Sequence, residues 1–176
     1  MYQGVTVTAM IYAPLGGMVM DQDAIIHYID GTFAGVETQR PTDGPGAGDT
    51  FFFYDPERNI DPTRRMPFAT IVAKDYGEYD NASQLDRPGV FRLNIGLSRD
   101  TFVSLFGYGP TEFAGKSGAY DFAALDTLMP HPLYAPQSYV CVLNPSAETF
   151  EALKPLIAEA YGRAVARYAG RRATDE

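Results

Sequence analysis

One cysteine, two histidines and a few polar residues on an apolar strand hold most of the chemical potential of this chain. The stretch "MPHPLYAPQSYVCVLNP", residues 129–145, contains Cys141 and His131 among four prolines. A reactive thiolate needs partial exposure and a neighbouring cation to lower its pKa. Cys141 instead sits between two valines in a strand-like run, where a free cysteine behaves as a small apolar residue. His131, flanked by Pro130 and Pro132, is expected to project from a stiff loop and is the weak candidate for a general base. No catalytic residue is otherwise assigned.

A better pair is Arg92 with Asn94 in "VFRLNIGLS". Phe91, Leu93, Ile95 and Leu97 alternate with them, so the apolar set faces a core and the polar pair faces away. A guanidinium and an amide on one sheet face can grip a carboxylate or another polar group. With Tyr54 and with His131 at the rim, they are the expected ligand-binding residues; the plainer reading, and the one favoured for the pair, is that Arg92 and Asn94 decorate a solvent-facing sheet or pair with Asp and Glu from the loops.

Other constellations fail on spacing. "GPTEFAGKS" imitates a phosphate-binding loop, which needs a glycine six residues before Lys116. Pro110 stands there, Gly109 is one residue too far, and no strand leads in. A G-x-S-x-G nucleophile elbow is absent. Two isolated histidines and one cysteine do not make a zinc site. Asp75, Glu78 and Asp80 lack the calcium-loop pattern and read as a solvated acidic loop, and Arg64 and Arg65 read as surface ion pairs. No cofactor or metal is expected.

The elements that position these residues follow from capping and periodicity. Asp21 caps a helix whose stripe is Ile25, Ile26, Ile29 and Phe33, with His27 on its solvated side. Short strands are expected at "VETQR", "DTFFFYD", "FATIVA", "VFRLNIGLS" and "YVCVL". "KDYGEYDNASQLDRPG" reads as a polar loop, and "DFAALD" as a helical turn. Ser98 caps a short helix, and Ser146 or Asn144 caps the last one, where Pro155 should introduce a kink. Arg163, Arg167 and Arg171 line up near its C-terminal end, where positive charge is stabilising. Helices grouped around runs of strands indicate an α+β fold, with one antiparallel sheet of four to five strands and helices packed on one face.

The 176 residues suit a single domain, enough to bury roughly 70% of the unfolded surface. The expected division is an N-terminal extension over 1–19, a domain over 20–170 and a charged tail over 171–176. Met18 or Met20 is the expected natural start, since a clean helix start follows, although "VTVTAMIY" could instead form an edge strand. Residues 1–19 lack the basic start of a signal peptide and are too short and too broken to span a bilayer. No membrane association is expected, and the default location is the cytoplasm. Net charge is −8, with 14 basic residues against 22 acidic. Four arginines lie at the extreme C-terminus, so the remaining surface repels phosphate backbones, which disfavours nucleic acid as a partner.

The runs "DTFFFYDP", "RRMPFATIV", "LDRPGVFRLNIGLS", "LMPHPLYAPQSYVCVLNPS" and "LIAEAY" together resemble a bacterial family known as domain of unknown function 6194, over about residues 20–168. That resemblance implies no reaction. More remotely, the order of elements is similar to the MmcQ/YjbR group, which implies a CyaY-like α+β fold. That group usually has a lysine where Gly96 stands and a His-Trp pair where Ser138 and Tyr139 stand. It also implies DNA binding, against which the net charge speaks. The reading that results is a non-enzymatic small-molecule binding or protein-interaction module using an open sheet face. The alternatives are an enzyme with His131 as general base and, third, a DNA-binding protein.

Overall fold

Alternate strand residues point to opposite sides of a sheet, so a strand with two apolar faces must be covered twice. The computed structural model, which describes residues 18–175, builds such a sheet. Helix α1 (Gln22–Thr32) is followed by β1 (Val36–Gln39), β2 (Thr50–Tyr54), β3 (Ala69–Val72) and β4 (Arg92–Gly96). Helix α2 (Arg99–Phe106), β5 (Met129–Pro130), β6 (Tyr139–Leu143) and α3 (Ala147–Asp175) complete the chain. All pairings are antiparallel, in the order β1-β2-β3-β4-β6-β5.

The fold is thus α+β with six strands rather than four to five. The additional strand is β5, whose two residues are too few to show alternation, and one of them is proline. Proline is tolerated there because β5 lies at the sheet edge. Its pairing with Val140 continues into a hydrogen bond from His131 N to Tyr139 O at 2.9 Å. The histidine segment therefore joins the sheet instead of standing clear of it.

Register decides which residues share a face. Phe52, Ala69, Ile95 and Val140 lie in one row across four strands, with Ile71, Leu93 and Val142 beside them. These meet Ile25, Ile26 and Ile29 of α1, Phe102 of α2, and Phe150, Leu153, Ile157, Ala160 and Ala164 of α3 in the main core. The caps agree with their residue types: Asp21 accepts from Ala24 N, Ser98 Oγ from Thr101 N and Ser146 Oγ from Thr149 N. Helix α3 runs through Pro155 for 29 residues.

Its arginines do more than complement the dipole. Arg163 donates to Leu97 O, and Arg171 donates to Arg64 O at 3.1 Å. Residues 1–17, where the early strand and the expected upstream start fall, lie outside the described residues. Met18 O accepts from Ala147 N at 3.0 Å, and Met20 N donates to Pro145 O at 2.9 Å.

One loop expectation changes. "DFAALD" forms a tight turn at Phe122–Ala123, after which Leu125 bridges to Leu143. "GPTEFAGKS" folds into short 3-10 turns after α2, with no strand leading in.

Candidate functional site: a roofed cleft on the second sheet face

The face opposite the helices carries Phe51, Thr70, Val72, Arg92, Asn94, Tyr139 and Cys141. Had it been open to water, Arg92 and Asn94 would be solvated. They are 1% and 3% exposed. The expectation of a solvent-facing polar pair is therefore corrected: two connections roof the sheet here, residues 74–90 and 131–138.

The first roof was expected to be a polar loop. Leu85 plugs a second, smaller core with Val72 and Leu143, supported by Tyr76 and Val90. Asp75 accepts from Leu85 N at 2.8 Å, Asp86 accepts from Asp75 N at 3.0 Å, and Tyr76 pairs with Asp80 across a narrow bridge. One apolar anchor and three local closures hold the segment over the sheet. Asp80 is consequently buried rather than solvated, and both its oxygens meet Arg92: NH2 to Oδ2 at 2.5 Å and NH1 to Oδ1 at 3.1 Å.

Arg92 NH1 also donates to Ser83 Oγ at 2.8 Å, and its Nε donates to Asn94 Oδ1 at 2.9 Å. Asn94 Nδ2 passes a hydrogen bond on to Thr70 Oγ at 2.9 Å. The result is a polar network across β3 and β4, anchored on a buried ion pair. Burying a guanidinium costs several kcal/mol unless it is paired and hydrogen-bonded, which accounts for the four hydrogen bonds to three residues that converge here.

His131 enters from the second roof and is 1% exposed. Its Nδ1 accepts from both Leu133 N and Tyr134 N, each at 3.1 Å. Two donors on one nitrogen settle the tautomer: the proton is on Nε2, and among the described residues no group accepts it. Burial, and then the Arg92 charge, push the imidazole well below its usual pKa, so it is neutral.

Cys141 is fully buried beneath this network, with Sγ 3.8 Å from Pro130 O. Burial pushes its thiol up to about 12. It is an apolar filler in chemical behaviour.

Between the roofs lies a cleft of about 340 Å³. Its floor is Arg92, Asn94, Thr70 and His131, and its walls are Phe51, Tyr76, Tyr79, Tyr134 and Tyr139, with Met66 and Pro67 at one end. At the mouth the hydroxyls of Tyr79 and Tyr134 are 2.9 Å apart, joining the two roofs. Asp49 closes the far side, its oxygens taken by Ala73 N at 2.9 Å and by the Tyr76 hydroxyl. Burial and then that bond to Asp49 raise the Tyr76 phenol, keeping it protonated as a donor.

Tyr139 lies flat because Gly96 has no side chain. A Cβ built on Gly96 would fall 2.9 Å from the Tyr139 ring, whose hydroxyl donates to Pro67 O at 2.6 Å.

Arg92, Asn94 and His131 line one cleft, with His131 buried in it rather than at its rim, and Tyr54 stands apart. It lies on the helix side of β2, edge-on to Tyr161 and Tyr168 of α3 at 5.6 and 5.4 Å. Period-2 counting separates it from Phe51, which occupies the cleft wall. Thr70, Asp49, Tyr76, Tyr79, Asp80 and Tyr134 were missed. Thr70, the single polar residue within "FATIVA", was the one legible signal.

Arg65 also departs from expectation. It is a part-buried hub that bonds Glu37 at 2.9 Å and Asp55 at 3.0 Å, outside the cleft. His27 is exposed, with Nδ1 2.7 Å from Asp23 O in its own helix.

Among the described residues, no three histidine, cysteine or acidic side chains come together as a metal-binding group. No helix among them is long and apolar enough to cross a membrane. In comparison with known proteins, the family described as "Family of unknown function (DUF6194)" matches residues 20–173. No curated protein and no solved structure matches the chain. The comparisons show no likeness to the MmcQ/YjbR group.

Proposed function

The chain belongs to the DUF6194 family, which brings no reaction with it, and we propose on the cleft's own chemistry that the protein is a non-enzymatic small-molecule binding module. The supporting observation is a floor of buried polar groups facing space between aromatic walls. Ligand sites are mostly apolar concavities of about 300–1,000 Å³ with a few placed polar groups, and this cleft falls at the small end of that range. Unlike a flat interaction surface, it is recessed, so a small molecule suits it better than a protein partner.

The alternative of His131 as a general base has little chemistry to draw on. A base must offer a lone pair, and both backbone donors already occupy Nδ1. Nε2 carries a proton and serves as a donor. DNA binding ranks third, since the cleft is aromatic and the chain carries −8 net charge.

A metabolite thermal-shift screen tests the proposal, followed by titration of each hit against Phe51→Ala and Tyr134→Ala. Both wall substitutions should weaken a true cleft ligand by at least about fivefold, the scale of one lost aromatic contact. Hits that ignore both substitutions, or a screen without hits, would overturn it.

A further inference from the structure

The hydrogen-bond ledger of the cleft specifies what it accepts. The acceptor atoms of the floor and of Asp49 each already receive a hydrogen bond: both oxygens of Asp80 from Arg92, those of Asp49 from Ala73 N and Tyr76, and Asn94 Oδ1 from Arg92 Nε. Thr70 Oγ accepts from Asn94, and His131 Nδ1 accepts from two backbone amides.

Donors are in surplus. A guanidinium has five N–H bonds and an amide has two. Arg92 uses four, which leaves one on NH2, and Asn94 uses one, which leaves one on Nδ2. The Thr70 hydroxyl hydrogen and the His131 Nε2 hydrogen also meet no acceptor among the described residues.

The charges select just as clearly. Arg92 is cancelled by Asp80, His131 is neutral, and Asp49 adds one negative charge at the side. Lys74 is not among the lining residues: it donates to Ala47 O at 2.8 Å and sits 5.4 Å from the Tyr76 ring. An anion would find no unpaired cation here. A cation would face a row of N–H and O–H hydrogens and a guanidinium.

Accepting the cleft as the binding site, as proposed above, we infer that its ligand is an uncharged, flat carbonyl compound. Its oxygen takes hydrogen bonds from two of the donors that Arg92, Asn94, Thr70 and His131 leave free, and its ring lies against Phe51, Tyr134 and Tyr139. A carbonyl oxygen accepts in its own plane from two directions, which suits donors converging from a strand and a roof. A small aromatic ring fills the walls without an internal charge to desolvate.

The test uses four small monosubstituted benzenes, acetophenone, benzoate, benzamidinium and toluene, titrated into the full chain and followed by protein NMR. Acetophenone should bind at least about fivefold tighter than each of the others, the worth of one buried hydrogen bond or one avoided charge burial. It should also shift the His131 Nε2 resonance. Preference for benzoate or benzamidinium would overturn the ligand class while leaving the cleft as a binding site. Toluene binding as tightly as acetophenone would overturn the role of the donors. Failure of all four to move any wall resonance would overturn both this inference and the binding reading beneath it.

Discussion

Arg92 and Asp80 meet in a two-pronged contact, 2.5 and 3.1 Å, that ties the centre of the sheet to the loop roofing it. The strand residue is 1% exposed and the loop residue 8%. Strand and roof therefore depend on each other: the loop supplies the charge that lets the strand hold an arginine, and the arginine holds the loop down. Asp80→Asn should destabilise the fold by about 3 kcal/mol, because it leaves a buried guanidinium uncompensated. Arg92→Met with Asp80→Leu should cost clearly less than the sum of the two single changes, since a buried pair replaced together removes both charges. Chemical denaturation of the four proteins gives the coupling; additive losses would refute it.

Gly96→Ala sets a methyl against the Tyr139 ring at 2.9 Å. The ring is buried and its hydroxyl is tied to Pro67 O, so it has little room to swing aside. The substitution should cost about 1–3 kcal/mol, in the range of overpacked cores. Pairing it with Tyr139→Leu should recover much of that loss, as read from the two melting temperatures.

His131 links stability to pH with a definite sign. Its folded pKa lies well below the ordinary 6.5, so below that value the unfolded chain binds a proton that the folded one refuses. The stabilisation is present above the ordinary 6.5 and is lost as pH falls from there through the lower folded value. His131→Asn should flatten the slope of melting temperature against pH in that window, because asparagine offers the backbone amides an acceptor but does not titrate there. An unchanged slope would show that another group governs it.

Cys141 should resist alkylation. It is fully buried and its thiol is raised to about 12, so almost no thiolate is present near neutral pH. Labelling with iodoacetamide should be negligible in the native protein and fast once denaturant is added. Native labelling at the rate of a free thiol would contradict the packing described here.

The mouth of the cleft is joined by one hydrogen bond, Tyr79 to Tyr134. Tyr79→Phe breaks it at two largely solvent-reached side chains, so the change in stability should stay below about 1 kcal/mol. Association of a cleft ligand should become faster in that variant. A large loss of stability instead would make the bond a structural tie rather than a closure.

Much of the architecture was legible because it depends on local rules. Asp21, Ser98 and Ser146 announce helix starts through the hydrogen bonds their side chains can make to free backbone donors. Alternation from Phe91 to Leu97 sorts the two faces of β4 correctly, and five of six strands show as β-branched or aromatic runs. Local periodicity, however, tells only which way a side chain points. It carries no information about what lies above it.

Tertiary structure decided the rest, and the reason is distance along the chain. Arg92 is buried because Asp80 and Ser83 return over it 12 and 9 residues away, and because Leu85 pins that return between Val72 and Leu143. His131 is neutral because the chain curls back to place two backbone amides on one ring nitrogen. Tyr54 and Phe51, three residues apart, end up on opposite faces with different neighbours. The sequence by itself determined the strands, the caps and the direction of each side chain; only long-range packing turned a polar sheet face into the donor-lined floor of an enclosed cleft.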